Sequence, residues 1–201
     1  MAMRPKTLLE MAGIAAAPPR LSQAAVVVID AQHEYVDGKL ALPGIQPALA
    51  EIERLLARAR ALRAPIIHVV HHGKPGGAFA PGSPGAEIAM QAAPAPGEAV
   101  VAKGLPNAFA STDLADRLHA LKRPSIVIAG FMTHMCVEAT ARAAIDVGLA
   151  ATVVASATAT RDLPDPLSDA TVPAAEVQRN ALVAMADRFA TIVPDTGALR
   201  D

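Results

Sequence analysis

Three residues with chemically useful side chains each come shortly after an apolar, β-branched run of the sequence: Asp30, Lys103 and Cys136. A thiol is a nucleophile, a carboxylate can take its proton, and an ammonium group stabilises negative charge on a thiolate or a carbonyl oxygen. Each residue also has an ordinary explanation: Asp30 as a turn or cap residue, Lys103 as a solvated lysine, and Cys136 as a small buried apolar residue. Their placement in the fold must decide between these explanations.

The elements that position these residues alternate along the chain. Six short apolar runs predict β-strands, at residues 24–29, 66–70, 99–102, 125–129, 150–155 and 191–193. Helical patterns lie between most of them, and the clearest runs from Leu49 to Leu62 before Pro65. The alternation predicts an α/β fold, a three-layer α/β/α sandwich around a six-stranded, mainly parallel sheet of order 3-2-1-4-5-6. We interpret residues 1–201 as a single domain with an N-terminal extension at 1–22.

This predicted sheet brings the three residues to one edge. Ligands of such sheets bind at the carboxyl ends of the strands, where the strand order reverses, and the first and fourth strands are neighbours at that point. Asp30, Lys103 and Cys136 would then share a crevice. Thr133 is predicted to cap the helix that carries Cys136, so the helix N-terminus should lower the pKa of the thiol. Backbone N–H groups there would also suit a developing oxyanion.

Three ordered motifs give the sequence a family resemblance. The first is an apolar strand ending in Asp-x-Gln at Asp30 and Gln32, and the second is Lys103 followed by Ala-Phe and Thr-x-Leu within residues 103–114. The third is Gly-Phe-Met-Thr-His-Met-Cys at residues 130–136, continuing to 144. Over roughly residues 24–195 the sequence resembles the isochorismatase-like cysteine hydrolase family.

The resemblance implies a catalytic mechanism. Cys136 would be the nucleophile, Asp30 would take its proton and later activate water, and Lys103 would hold the charges in place. A non-proline cis peptide bond would precede Met132, and the N–H groups of Met132 and Cys136 would form the oxyanion hole. The implied reaction is hydrolysis of a C–N bond in a small amide, lactam or ureido compound, through a thioester.

Candidate substrate-binding residues lie close to the motifs: Gln32, Tyr35, His72, Phe109, Phe131 and His134. The segment His33-Glu34-Tyr35 replaces the Asn-Asp-Phe continuation that is commoner in the family. Nicotinamidases of the family carry a metal site built on Asp-x-His after the second strand. Here the corresponding histidines, His68, His71 and His72, have no acidic partner among them, and a zinc site needs about three protein ligands. We therefore expect no metal and no cofactor.

Composition argues against several classes of partner. A formal net charge of −1 and an aromatic content of 2% give no basis for binding nucleic acid. No segment approaches the roughly 20 apolar residues needed to cross a bilayer, so no membrane partner is expected. The chain is predicted to be cytoplasmic and to act on a small-molecule substrate. The resemblance also implies a homo-oligomer, a dimer or a tetramer.

Two other functions stay open. One is hydrolysis of a vinyl ether, as in an isochorismatase proper, which does not need a thiol nucleophile. The other is a non-catalytic binding module of the kind found in isochorismatase proteins that bear a carrier domain, although we expect no carrier domain after the sixth strand. Substitution of Cys136 tests the first alternative, and the reactivity of its thiol tests the second.

Overall fold

A parallel sheet of six strands forms the centre of the molecule. The computed structural model describes residues 4–14 and 17–201, so residues 1–3 and 15–16 of the predicted N-terminal extension lie outside the described residues. The strands of the whole fold are β1 (Ala25–Ile29), β2 (Ile66–His71), β3 (Ala99–Lys103), β4 (Ser125–Phe131), β5 (Ala150–Ala159), β6 (Leu163–Pro164), β7 (Thr171–Val172) and β8 (Ala190–Val193). The order of the main sheet is β3-β2-β1-β4-β5-β8, with every neighbouring pair parallel. The predicted order is confirmed, with β8 as its sixth strand.

Helices cover both faces of the sheet: α1 (Leu8–Met11), α2 (Ile45–Ala61), α3 (Leu114–Ala120), α4 (Glu138–Asp146) and α5 (Ala174–Arg188). Alternate residues of each strand point to opposite faces, so β1 buries Val26 and Val28 on the α2 side, and Val27 and Ile29 against α3, α4 and α5. Both faces are buried, which is why the parallel strands read as continuous apolar runs. The predicted three-layer sandwich is confirmed.

The fifth strand differs from the sequence prediction. β5 continues to Ala159, four residues past its predicted end, because its pairing with β4 is interrupted and then resumes. Ile128 pairs with Val153, but Gly130 pairs with Thr158, so β5 carries a bulge opposite a short step of β4. The segment after β5 contains the short antiparallel hairpin β6–β7.

A close approach between β1 and β4 shapes the carboxyl edge of the sheet. Gly130 has φ +120°, and a Cβ atom there would lie 1.9 Å from the carbonyl oxygen of Ile29. Glycine is therefore required at this position for steric reasons. Asp30 itself adopts a positive φ of 50°, a left-handed conformation that aspartate tolerates better than most residues. The turn after β1 and the turn after β4 are consequently adjacent.

Within the part of the chain that the structure describes, no helix is long and apolar enough to cross a membrane.

Candidate active site

Asp30, Lys103 and Cys136 meet at the carboxyl edge of the sheet. Lys103 Nζ lies 2.7 Å from Asp30 Oδ2 and 3.3 Å from Cys136 Sγ. The three residues are 0%, 3% and 5% exposed, respectively. A charged pair this deeply buried is excluded from most solvent screening, so its electrostatic effect on the neighbouring thiol is strong. The structure thus brings together all three residues of the predicted catalytic centre.

Each of the three residues is positioned by the end of a strand. Asp30 directly follows β1, and Lys103 is the last residue of β3, where it pairs with His71 of β2. Cys136 lies in a π-helical turn, Thr133–Val137, between β4 and α4. The Phe131–Met132 peptide bond that leads into this turn is cis.

The start of the cysteine-bearing helix differs from the prediction. Thr133 does not cap it, since its hydroxyl donates to the carbonyl of Ala159, 3.1 Å away, and thereby joins the turn to the end of β5. Cys136 lies inside a π-helical turn rather than in the first turn of a regular α-helix. π-Helical turns of this kind occur frequently at functional sites.

Burial dominates the electrostatics of the site. It raises the pKa of the Asp30 carboxyl, although Lys103 opposes that rise. Burial, together with the negative charge of Asp30, also raises the pKa of the Cys136 thiol to about 12. The expectation that the helix N-terminus lowers the thiol pKa was wrong, because desolvation and a neighbouring carboxylate both disfavour the thiolate.

The neighbouring charges and the burial determine which group of the site holds the thiol proton before a substrate reacts. With its pKa raised to about 12, the Cys136 thiol keeps its proton at neutral pH beside Asp30 and Lys103. Asp30 Oδ2 lies 2.7 Å from Lys103 Nζ, and the carboxyl group also interacts with the Cys136 thiol, so it is placed to accept the thiol proton. A carboxylate with a raised pKa is a stronger base than an exposed one, and the site therefore suits transfer of the thiol proton to Asp30.

Gln32 is placed differently from the substrate-binding role predicted for it. Its side chain is fully buried, and its amide nitrogen donates to the carbonyls of His71 (3.1 Å) and Ala86 (2.8 Å). Its amide oxygen accepts from the backbone N–H of His71, at 2.8 Å. Both amide donors are thus used within the protein. Gln32 connects the turn after β1 to the end of β2 and to the loop that follows it.

Replacing Gln32 with leucine is expected to destabilise the fold by about 1–3 kcal/mol, because buried backbone groups of His71 and Ala86 lose their partners. Urea denaturation would measure the change in the free energy of unfolding. Gln46→Leu is a matched control, since Gln46 is exposed at the start of α2. Equal effects of the two substitutions would contradict the structural role of Gln32.

The aromatic residues among the predicted substrate-binding residues are only partly available to a substrate. Tyr35 is almost fully buried and packs edge-on against Phe79 and Phe131, with ring centroids 4.9 and 6.1 Å away. Phe131 is fully buried in the core on the α2 side, so it supports Tyr35 and is not itself accessible. Phe109 is half-buried and packs against the core cluster that contains Cys136.

The histidines are arranged differently from the prediction. His71, rather than His72, reaches the catalytic centre: its Nδ1 lies 3.3 Å from Lys103 Nζ, whereas the side chain of His72 is exposed. Burial, aided by the charge of Lys103, lowers the pKa of His71. A neutral His71 can accept a hydrogen bond from the ammonium group and help to orient it. The feature of the sequence that could have identified His71 as a residue of this site is its position at the carboxyl end of β2.

His134, two residues before Cys136, hydrogen-bonds through Nδ1 to the hydroxyl of Thr160. Burial, with a smaller contribution from the charge of Arg161, lowers the pKa of His134. Sequence reasoning did not single out Arg161. The residue follows β5 at the same carboxyl edge as the catalytic centre, so a correct end for β5 would have drawn attention to it.

The histidines do not combine into a metal site. Among residues 4–14 and 17–201, no three His, Cys, Asp or Glu side chains are grouped as metal ligands would be. His68 is buried and lies 2.8 Å from Glu98 Oε2, which also binds Arg60, while His71 faces Lys103. The two histidines of β2 therefore point to different partners.

The chain that carries this site is similar to known proteins in both sequence and structure. A model of the isochorismatase domain matches residues 24–195. Among solved structures, an isochorismatase from Pseudomonas putida is 41% identical, with a TM-score of 0.93 over 98% of this chain and 100% of that one.

Curated proteins show a similar sequence identity to this chain. A secreted isochorismatase effector of Verticillium dahliae is 39% identical over 91% of this chain and 94% of its own length. A streptothricin hydrolase of Streptomyces noursei is 38% identical over 87% of this chain, which spans 63% of that protein.

Proposed function

Because the chain belongs to the isochorismatase family and is a hydrolase of that family, we propose that it cleaves a C–N bond of a small amide, lactam or ureido compound through a thioester on Cys136. The observation that carries the proposal is the position of Lys103 Nζ, 2.7 Å from Asp30 Oδ2 and 3.3 Å from Cys136 Sγ. The cation then lies within contact distance of both the base and the nucleophile.

The first half of the reaction forms the thioester. Asp30 accepts the thiol proton as Sγ attacks the carbonyl carbon, and the substrate oxygen becomes an oxyanion. When this tetrahedral intermediate collapses, the C–N bond breaks and the Asp30 carboxyl returns its proton to the departing nitrogen. Ammonia or an amine leaves, and the acyl group stays on Sγ. The ammonium group of Lys103 stabilises the negative charge wherever it resides.

The second half releases the acid. Asp30 removes a proton from water, the resulting hydroxide attacks the thioester carbon, and the C–S bond breaks. The proton on Asp30 then passes to the departing sulfur, which restores the Cys136 thiol. The backbone N–H groups of Met132 and Cys136 are the proposed oxyanion donors in both halves, because Cys136 belongs to the turn that presents the sulfur and Met132 immediately precedes that turn.

The direct test is ammonia release from a panel of nicotinamide, carbamoyl amino acids, ureidoacrylate, maleamate and lactams, with intact-mass analysis during turnover. The expected result is cleavage of one of these classes, together with an added mass equal to the acyl group on Cys136. Vinyl-ether cleavage that is independent of Cys136, with no release of ammonia or amine, would contradict the proposal.

The pH profile offers a separate prediction. We expect kcat/KM to rise with pH through one apparent pKa above 3.8, the ordinary value for aspartate, because burial raises the pKa of Asp30 and only its deprotonated form accepts the thiol proton. No second rise should follow between pH 7 and 10, since the pKa of the thiol is raised to about 12. The profile is measured with a substrate that does not itself ionise in that range. A second rise near pH 8–9 would instead indicate a thiolate formed without Asp30.

A further inference from the structure

The Lys103 ammonium group has three N–H donors, and three acceptors from three different parts of the fold lie around it. Asp30 Oδ2, directly after β1, is 2.7 Å from Lys103 Nζ, and Cys136 Sγ, in the turn after β4, is 3.3 Å away. The third acceptor is Nδ1 of His71 in β2, also at 3.3 Å. The Lys103 side chain is fully buried, so water has little access to a donor that loses its protein partner. His71 is therefore needed to satisfy the third N–H.

This contact fixes the position of the proton on the His71 ring. An ammonium group can only donate, so Nδ1 must be the acceptor, and the neutral ring then carries its proton on Nε2. Burial and the charge of Lys103, with a smaller contribution from His72, lower the pKa of His71 and favour that neutral form. A protonated ring would turn an N–H group toward the ammonium group and remove the acceptor. The contact thus has a defined direction, in which Lys103 donates and His71 accepts.

The His71 ring is held in place by contacts outside the catalytic centre. His71 is paired with Lys103 in the parallel register of β2 and β3, so both side chains lie on the same face of the sheet. The side-chain amide of Gln32 binds the backbone N–H and the carbonyl of His71, at 2.8 and 3.1 Å. The ring packs edge-on against Phe79, with centroids 5.3 Å apart. A ring fixed in this way can orient a flexible lysine side chain.

We propose that His71 is a positioning residue of the catalytic centre, which accepts one N–H of Lys103 and thereby aims the other two at the Asp30 carboxylate and the Cys136 sulfur. This inference rests on the proposed function, and it adds a fourth residue to the same site. Because all three N–H groups are then used within the protein, Lys103 acts on the reacting charges electrostatically and leaves the substrate oxygen to the backbone donors. Loss of the His71 contact should therefore slow the chemical step and leave substrate binding almost unchanged.

Two substitutions of His71 separate its hydrogen bond from its volume. His71→Leu has no acceptor, and it is expected to lower kcat for C–N hydrolysis about 10–100-fold with KM nearly unchanged, as is typical of a lost hydrogen bond to a charged group. His71→Asn should recover much of that loss, because its amide oxygen can occupy the position of Nδ1. His119→Leu is the matched control, since His119 is exposed in α3. Equal kcat values for His71→Leu and His71→Asn, or a change confined to KM, would overturn the inference.

NMR of the lysine ammonium groups detects the contact without turnover. The five lysines of the chain all lie among the described residues, and Lys103 alone is buried, so its ammonium protons should exchange with water most slowly. That exchange should accelerate at least about 10-fold in His71→Leu and stay close to the wild-type rate in His71→Asn and His119→Leu, with melting temperatures confirming that each variant is folded.

The exchange rates also separate this inference from the proposed reaction. Equal exchange in all four proteins would overturn the role of His71, even if Cys136-dependent hydrolysis were observed. Exchange that depends on His71, in a protein that hydrolyses no C–N bond, would support the positioning contact and contradict the proposed reaction. The two failures are therefore distinguishable.

Discussion

Replacing Cys136 with alanine is expected to lower kcat for C–N hydrolysis by at least about 10³-fold, because the acyl group then has no sulfur on which to reside. The substitution should leave the fold almost unchanged, since Cys136 occupies a small buried site at the edge of a core cluster. The measurement is the steady-state rate of ammonia release, with circular dichroism and the melting temperature as checks on folding.

Cys136→Ser is the informative companion variant. It keeps a hydroxyl nucleophile near Asp30 and Lys103, so a slow residual activity with an acyl ester on Ser is compatible with the mechanism. Full activity of Cys136→Ala would eliminate the covalent route. Chemical labelling is a weaker test than the sequence suggested, because a buried thiol with a pKa near 12 reacts slowly with iodoacetamide at pH 7 even in an active enzyme.

The sequence was sufficient to predict the main architecture because its apolar runs are short, β-branched and separated by helical patterns. A strand buried on both faces appears in the sequence as an unbroken run of apolar residues, and all five residues of β1 are apolar and buried. The placement of Asp30, Lys103 and Cys136 then followed from the general rule for the carboxyl edge of parallel sheets. These predictions depended on backbone periodicity, which is a local property.

The incorrect predictions concerned properties that arise only from tertiary packing. The pKa of Cys136 depends on how completely the thiol is desolvated and on how close Asp30 lies, and neither quantity is encoded in the local turn. Gln32 was predicted to bind substrate because the family resemblance places its segment beside the substrate, but its amide hydrogen-bonds to backbone groups 39 and 54 residues further along the chain. Arg161 was not identified because β5 continues beyond its bulge, so that the strand ends four residues later than predicted.

Removing the cation of the catalytic centre is expected to have the largest effect on stability. In Lys103→Met the Asp30 carboxylate is left fully buried without its ion-pair partner, and breaking a buried pair in this way costs about 3–5 kcal/mol at neutral pH. Catalysis should fall as well, since the cation beside Cys136 Sγ is lost. Lys74→Met is the matched control, because Lys74 is exposed in the loop after β2.

The loss of stability in Lys103→Met should depend on pH in a defined direction. Burial already raises the pKa of Asp30, and without the opposing charge of Lys103 it rises further. The folded variant then binds a proton more tightly than the unfolded chain, so its stability falls as pH increases above the ordinary aspartate value of 3.8 and levels off above the folded-state pKa. Urea denaturation at pH 4.5 and pH 8 should therefore show a smaller difference from the wild-type protein at the lower pH.

The double variant Asp30→Asn/Lys103→Met separates charge from packing. An uncharged asparagine removes the unpaired carboxylate, so we expect the double variant to recover much of the stability lost in Lys103→Met and to lose the added pH dependence. The double variant should not hydrolyse substrate at a useful rate, because it lacks Asp30, the proposed base. If Lys103→Met were as stable as Lys74→Met at pH 8, Asp30 would have to be protonated already in the wild-type protein. A protonated Asp30 could not accept the thiol proton, and the ion pair that supports the proposed mechanism would be excluded.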